Sequence, residues 1–164
     1  MPSFLRVGAL SSSLCLLTAI LAQPSSAAES DPVQRGRYLV QIAGCNDCHT
    51  AGYVMAPEKV PESTWLTGDQ LGWSGPWGTT YPSNLRLYMQ QFSEEQWLQL
   101  ARNANFRPPM PSHVLRAMHE DDLRGIYRFV RGLGPAGTAA PTYLPPGTTP
   151  KGPAVIFPAP PPQL

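Results

Sequence analysis

Cys45-Asn46-Asp47-Cys48-His49 places two thiols and an imidazole within five residues. Cysteines three positions apart lie about one helical turn apart, on the same side of a helix. In that arrangement each thiol can add to one of a haem's two vinyl groups. The histidine beside the second thiol can then supply an axial ligand to the iron. Two other chemistries use Cys-x-x-Cys. A dithiol redox pair expects a βαβ setting, and the flanking sequence lacks that alternation of strand and helix patterns. A zinc site needs two further soft ligands, for which the chain offers only His113 and His119, poorly spaced. The pattern therefore points to one covalently bound haem c, with His49 on its iron.

Iron takes a second axial ligand, and the candidates are Met55, Met89, Met110, Met118, His113 and His119. Met110 is favoured because it sits in Pro108-Pro109-Met110-Pro111, where prolines fix φ and stiffen the loop. A stiff loop holds a weak thioether ligand at low entropic cost. The loop lies far enough beyond His49 for the chain to circle the haem and reach its opposite face. Met55 is too near the attachment site for that path. Met89 has helix-like surroundings that suit a core position, and Met118 and His119 stand at the start of the last helix.

Helices must hold these residues. Asp31 is a natural N-cap and Pro32 a natural first residue for a helix leading into the motif. Val33, Arg37, Val40 and Gly44 fall near one face of it, with Leu39 and Ile42 alongside. Gly36 within that helix costs about 1 kcal/mol relative to alanine; either it marks close approach of another backbone or it is simply tolerated. Ser93-Glu94-Glu95-Gln96 is a capping box, followed by Trp97, Leu98, Leu100 and Ala101 as an apolar side. A loop then runs from Asn103 to His113. A third helix is expected from about Glu120 to Leu133, with Leu123, Ile126, Tyr127 and Val130 as its buried stripe. Gly132, Gly134 and Pro135 end it. Between the motif and the second helix, Ala51 to Tyr81 shows little periodicity. Its Trp65, Trp73 and Trp77 suit either a loop wrapped around a haem edge, where rings meet porphyrin and N–H groups meet propionates, or packing against protein alone.

Residues 1–28 read as a secretory signal, with Arg6 in the n-region, an apolar run from Val7 to Ala22, and Ser26-Ala27-Ala28 before a cleavage point at Glu29. The run is short for a membrane span, so contact with a membrane is expected only if the signal is retained. Cleavage removes Cys15 and leaves Cys45 and Cys48 alone. Ten of the 20 prolines fall between Pro135 and Pro162, so residues 135–164 form an extended tail that cannot build helix. The haem domain is thus expected at 29–134. Twelve basic residues against 11 acidic ones give no electrostatic case for nucleic-acid binding.

Three segments carry a resemblance to a known family. They are Gly36-Arg37-Tyr38-Leu39-Val40 leading into the attachment motif through Thr50, then Gly75-Pro76-Trp77-Gly78-Thr79-Thr80-Tyr81-Pro82-Ser83-Asn84-Leu85, and finally Pro109-Met110-Pro111 with Met118-His119-Glu120-Asp121-Asp122-Leu123 and Ile126-Tyr127. Together they resemble class I cytochrome c domains, closest to the monohaem subunits and domains that accompany periplasmic alcohol and aldehyde dehydrogenases. The resemblance implies an all-α fold in which N- and C-terminal helices cross near Gly36 and Tyr127. It implies Met110 as distal ligand and places Trp77, Tyr81 and Asn84 near the haem edge or propionates. It also implies a Pro-rich tail packed along the domain or a partner. The segment Asn84-Leu85-Arg86-Leu87 departs from those relatives, which often carry Thr-Pro and a glycine-rich turn there, so no particular dehydrogenase is singled out.

The function expected on these grounds is one-electron transfer in the periplasm, by a carrier rather than an enzyme. Its redox protein partners would be a periplasmic dehydrogenase and a terminal oxidase or another cytochrome. Two rivals make different predictions. A haem enzyme or gas sensor with an open sixth position binds carbon monoxide rapidly. A dedicated subunit of a dehydrogenase complex copurifies with its partner, and if the tail is a docking strap, deleting 135–164 abolishes that association and spares the haem spectrum.

Overall fold

The computed structural model describes residues 31–103 and 105–158. The expected signal peptide lies outside these residues. Six helices set the frame: α1 Pro32–Ile42, α2 Cys45–His49, α3 Leu85–Tyr88, α4 Glu94–Asn103, α5 Ser112–Ala117 and α6 Glu120–Gly132. No helix among the described residues is long and apolar enough to cross a membrane.

Local sequence accounts for where the helices begin. The Asp31 carboxylate accepts from Val33 N at 2.9 Å, and Pro32 follows as the first helical residue. At α4, Ser93 N donates to Gln96 Oε1 at 2.8 Å and Gln96 N donates to Ser93 Oγ at 3.2 Å, the two halves of a capping box. Three acidic residues open α6 and Arg131 lies in its last turn, both favourable to the helix dipole.

Helices α1 and α6 pack together more extensively than any other pair. They meet backbone to backbone at Gly36 and Gly125. A Cβ on Gly36 would lie 1.9 Å from Gly125 O, and one on Gly125 would lie 2.8 Å from Pro32 O. The buried face of α1 is Gly36, Leu39 and Val40, so the stripe read from sequence is rotated: Val33 and Ile42 are exposed. On α6 the buried residues are Leu123, Gly125, Ile126, Tyr127, Phe129 and Val130. Trp65, Met89, Trp97, Leu98 and Leu115 complete the core between them.

A small sheet departs from the all-helical expectation. Strands β1 Gly72–Gly75 and β2 Gly78–Thr80 form an antiparallel hairpin pairing Trp73 with Thr80 and Ser74 with Thr79. Strand β3 Ala154–Ile156 comes from the Pro-rich tail and adds to β1 in parallel, Trp73 opposite Val155. Three- and four-residue strands leave no readable period, which is why the sequence passed for loop here.

The tail does not hang free of residues 31–134. Arg86 reaches the end of α6, donating to the carbonyls of Leu133 and Gly134 and to Ser63 O, and so satisfies carbonyls a helix C-terminus leaves unpaired. Asn84 Nδ2 donates to Ala136 O at 2.7 Å and Thr138 O at 3.1 Å. Further on, Leu144 and Thr79 exchange two backbone hydrogen bonds of 2.8 and 3.0 Å. Packing therefore continues well past position 134.

Candidate functional site

The segment Cys45–His49 is a short helix of five residues. Gly44 precedes it at φ 71°, a left-handed conformation that lets the chain turn sharply out of α1 into α2. Cys45 and Cys48 are both free thiols on that turn and are half-buried. Burial is the main reason both thiols are pushed up, Cys45 to about 11, with Asp47 adding to the effect. Thiols held protonated at neutral pH are the opposite of what a dithiol redox pair requires.

His49 is fixed by the backbone. Its Nδ1 lies 2.7 Å from Ser83 O. A carbonyl can only accept, so Nδ1 carries the proton and Nε2 carries the lone pair. Desolvation lowers the pKa of His49, keeping the ring neutral, while the Ser83 bond works the other way. Among the described residues no partner takes Nε2. A neutral imidazole with one nitrogen anchored and the other free is the form that ligates a metal.

The end of α2 is clamped as well. Thr50 Oγ1 donates to Asn46 Oδ1 and accepts from Leu66 N, both at 2.7 Å. Gly68 N donates to His49 O at 2.8 Å, and Thr50 bridges to Gly68. Leu66 is fully buried at φ 61°, a strained value for a residue with a branched side chain. Its carbonyl accepts from Leu85 N and Arg86 N, which connects the attachment turn to α3.

The axial candidates separate by position. His113 and His119 are exposed, Met55 is 85% exposed, and Met89 lies in the core at 1%. Met110 and Met118 are half-buried and packed against the core. The Met110 loop is tied to the same strip of chain that holds His49: Thr80 Oγ1 donates to Pro108 O at 2.7 Å. From Thr80 to Ser83 the chain can span at most about 11 Å. One short strip thus carries the anchor of the His49 ring and the anchor of the Met110 loop.

The three residues expected at a haem edge have other engagements. Asn84 is the most fully engaged of the three. Besides its two bonds to the tail, its Oδ1 accepts from Leu87 N at 3.1 Å and caps α3. Both amide hydrogens and the oxygen are committed, so nothing is left for a propionate. Trp77 donates its N–H to Trp73 O at 3.3 Å and packs edge-on against Phe157 of the tail, with ring centres 5.2 Å apart. Tyr81 lies against Gly72 and lines a groove with tail residues Pro141, Thr142 and Leu144. Trp65 packs within the protein, on Tyr53 and Phe129, and gives its N–H to Val60 O.

Trp73 presents the better donor. Its Nε1 is buried and has no hydrogen-bond partner, a costly state for an indole N–H unless a further group accepts from it. An acidic group on a molecule seated beside β1 would satisfy it. Asn46 Nδ2, inside the motif, is the other buried donor without a partner. Among the described residues no three His, Cys, Asp or Glu side chains converge on one point as a metal cage, and a haem asks for none. Sequence reasoning missed Ser83, Thr50 and Leu66, whose roles run through backbone groups or a hydroxyl of ordinary type. Comparison with protein-family models, curated proteins and solved structures finds no match to the chain.

Proposed function

We propose that the chain is an exported single-electron carrier of the class I cytochrome c type. It holds one haem c through thioether bonds from Cys45 and Cys48, with His49 and Met110 as axial ligands. The observation that carries this reading is the His49 ring: Ser83 O fixes its Nδ1 and leaves Nε2 free, next to two unbridged thiols on one turn. The donor set fits the group, because a haem needs two thiols, one neutral imidazole, a soft distal ligand and donors for its carboxylates. The packing of α1 on α6 at Gly36 and Gly125 supports the same fold type.

When bound, the iron supplies a one-electron couple, and its potential is set by the axial pair and by burial. The chain's own residues do the rest. Ser83 orients the imidazole, and the Thr50–Asn46–Leu66 network keeps the attachment turn in place. Thr80 holds the Met110 loop, and Trp73 offers a donor to a haem carboxylate. If His49 and Met110 both held the iron, no coordination place would be left for substrate. That favours a carrier over an enzyme or gas sensor.

The test is to express the full chain in a host that attaches haem outside the cytoplasm. The mature protein is expected to carry the mass of one haem beyond the peptide, to stay coloured after denaturation, and to show a weak far-red band when oxidised. A mass equal to bare peptide, with no colour after denaturation, overturns the proposal.

A further inference from the structure

We infer that the C-terminal segment 139–158 is an intramolecular strap, and that Tyr143 within it is a positioning residue for the axial methionine. The inference rests on Met110 being the distal ligand and adds what keeps it there.

Tyr143 is fixed to the hairpin before it touches the Met110 loop. Its hydroxyl donates to Trp77 O at 2.8 Å. The next residue, Leu144, exchanges two backbone hydrogen bonds with Thr79 on β2. Gly78 admits this approach: it sits at φ 96°, and a Cβ there would lie 2.2 Å from Leu144 O. Beyond, Gly72 N donates to Pro153 O, β3 pairs with β1, and Phe157 packs on Trp73 and Trp77. The segment is therefore held near its start and near its end.

From this fixed base the Tyr143 ring faces the axial loop. The Arg107 guanidinium carbon stands 4.0 Å above the ring centre, close for a cation–π contact. Arg107 and Met110 share one turn, since Met110 N donates to Arg107 O at 3.2 Å. Ser112 N donates to Met110 O at 2.9 Å and closes the turn from the other side. The turn thus has two handles on the hairpin, Thr80 on Pro108 and Tyr143 on Arg107. Tyr143 is suited to the task because a tyrosine has few rotamers to lose. A thioether binds iron weakly, so its occupancy depends on how seldom the loop swings out.

This assignment reverses one consequence of a tail built for a partner. A docking strap could be altered without changing the haem spectrum. A strap on the axial loop could not.

The test uses the full-chain holoprotein, with imidazole as the probe. Imidazole reaches the iron only when the Met110 turn has opened, so its apparent affinity scales with the open fraction. Tyr143→Ala is expected to tighten imidazole binding about tenfold, and Tyr143→Phe, which keeps the ring and loses the hydroxyl, about threefold. Amide hydrogen exchange at Met110 and Ser112 should quicken in the same order, with α1 and α6 unchanged. A purely structural role lowers the unfolding midpoint and leaves imidazole affinity at the wild-type value, and that result overturns the inference. If Tyr143→Ala fails to accumulate, Tyr143→Phe decides alone, and wild-type affinity in it is the overturning result. Failure of the ligand assignment shows up separately, as a wild-type far-red band that is absent or that survives Met110→Ala.

Discussion

Ser83 O sits 2.7 Å from Nδ1 of His49 and so decides which nitrogen of the imidazole is free. The anchor is a backbone atom, and the Ser83 side chain has no part in it. Ser83→Ala is therefore expected to leave haem content and spectrum at wild-type values, with stability within about 0.5 kcal/mol. His49→Ala removes the ligand and should leave a protein with no His-ligated haem spectrum. Mass spectrometry and absorption of the two purified variants check the pair together.

Met110 and Met118 are the two half-buried axial candidates, and only the Met110 loop is tied to the strip that anchors His49. Met110→Ala should lose the far-red band and gain carbon monoxide binding, while Met118→Ala keeps the band. The comparison is read from oxidised spectra and from carbon monoxide titration of the reduced proteins.

Gly36→Ala tests the helix crossing. Alanine would favour an isolated helix by about 1 kcal/mol over glycine. Here its methyl group would overlap the Gly125 carbonyl, 1.9 Å away, and backbone cannot move aside as a flexible side chain can. The clash wins, and a net loss of about 2–3 kcal/mol is expected, seen as a lower urea midpoint.

Glu94 links α4 to α6 through Arg124 and Arg128, at 2.8 Å to each. Hydrogen bonding from Arg128, then from Arg124, holds its carboxyl below the usual range against the opposing effect of burial. A carboxyl depressed by folding stabilises the chain fully above its unfolded pKa of about 4.3, and that contribution fades as pH falls through the lower folded value. Glu94→Gln should cost on the order of 1 kcal/mol near neutral pH. The gap from wild type should narrow below about pH 4, as urea midpoints measured across that range would report.

Much of the helical frame was readable from single residues. Asp31 with Pro32, Ser93 with Gln96, and the acidic start of α6 are local devices, and each marks a helix start observed in the fold. Gly36 was legible as one of two things, a close approach or a tolerated glycine, and the fold shows the close approach. Its partner Gly125 was not, since nothing local distinguishes it. The sheet escaped notice because its strands are short and β3 pairs with a strand far back in the chain. The bonds that Arg86 and Asn84 make were passed over for a related reason: most of their partners are carbonyls at 133–138, and a carbonyl leaves no trace in residue type. At the site, the Cys45–His49 motif stood out by residue type, whereas the groups that hold it, Ser83 O and the Thr50 hydroxyl, take their meaning from distant turns.

Strand β3 joins position 154 to position 72 in parallel, so the hairpin gains its third strand only after the long intervening stretch of chain has been made. The two cysteines lie near the leading end. They are made well before the segment bearing Tyr143, whose contacts are with Trp77 and Arg107. Closure of so long a loop is entropically slow. The order of synthesis thus lets the helical frame around the two thiols form before the final stretch of chain is tied down on the hairpin.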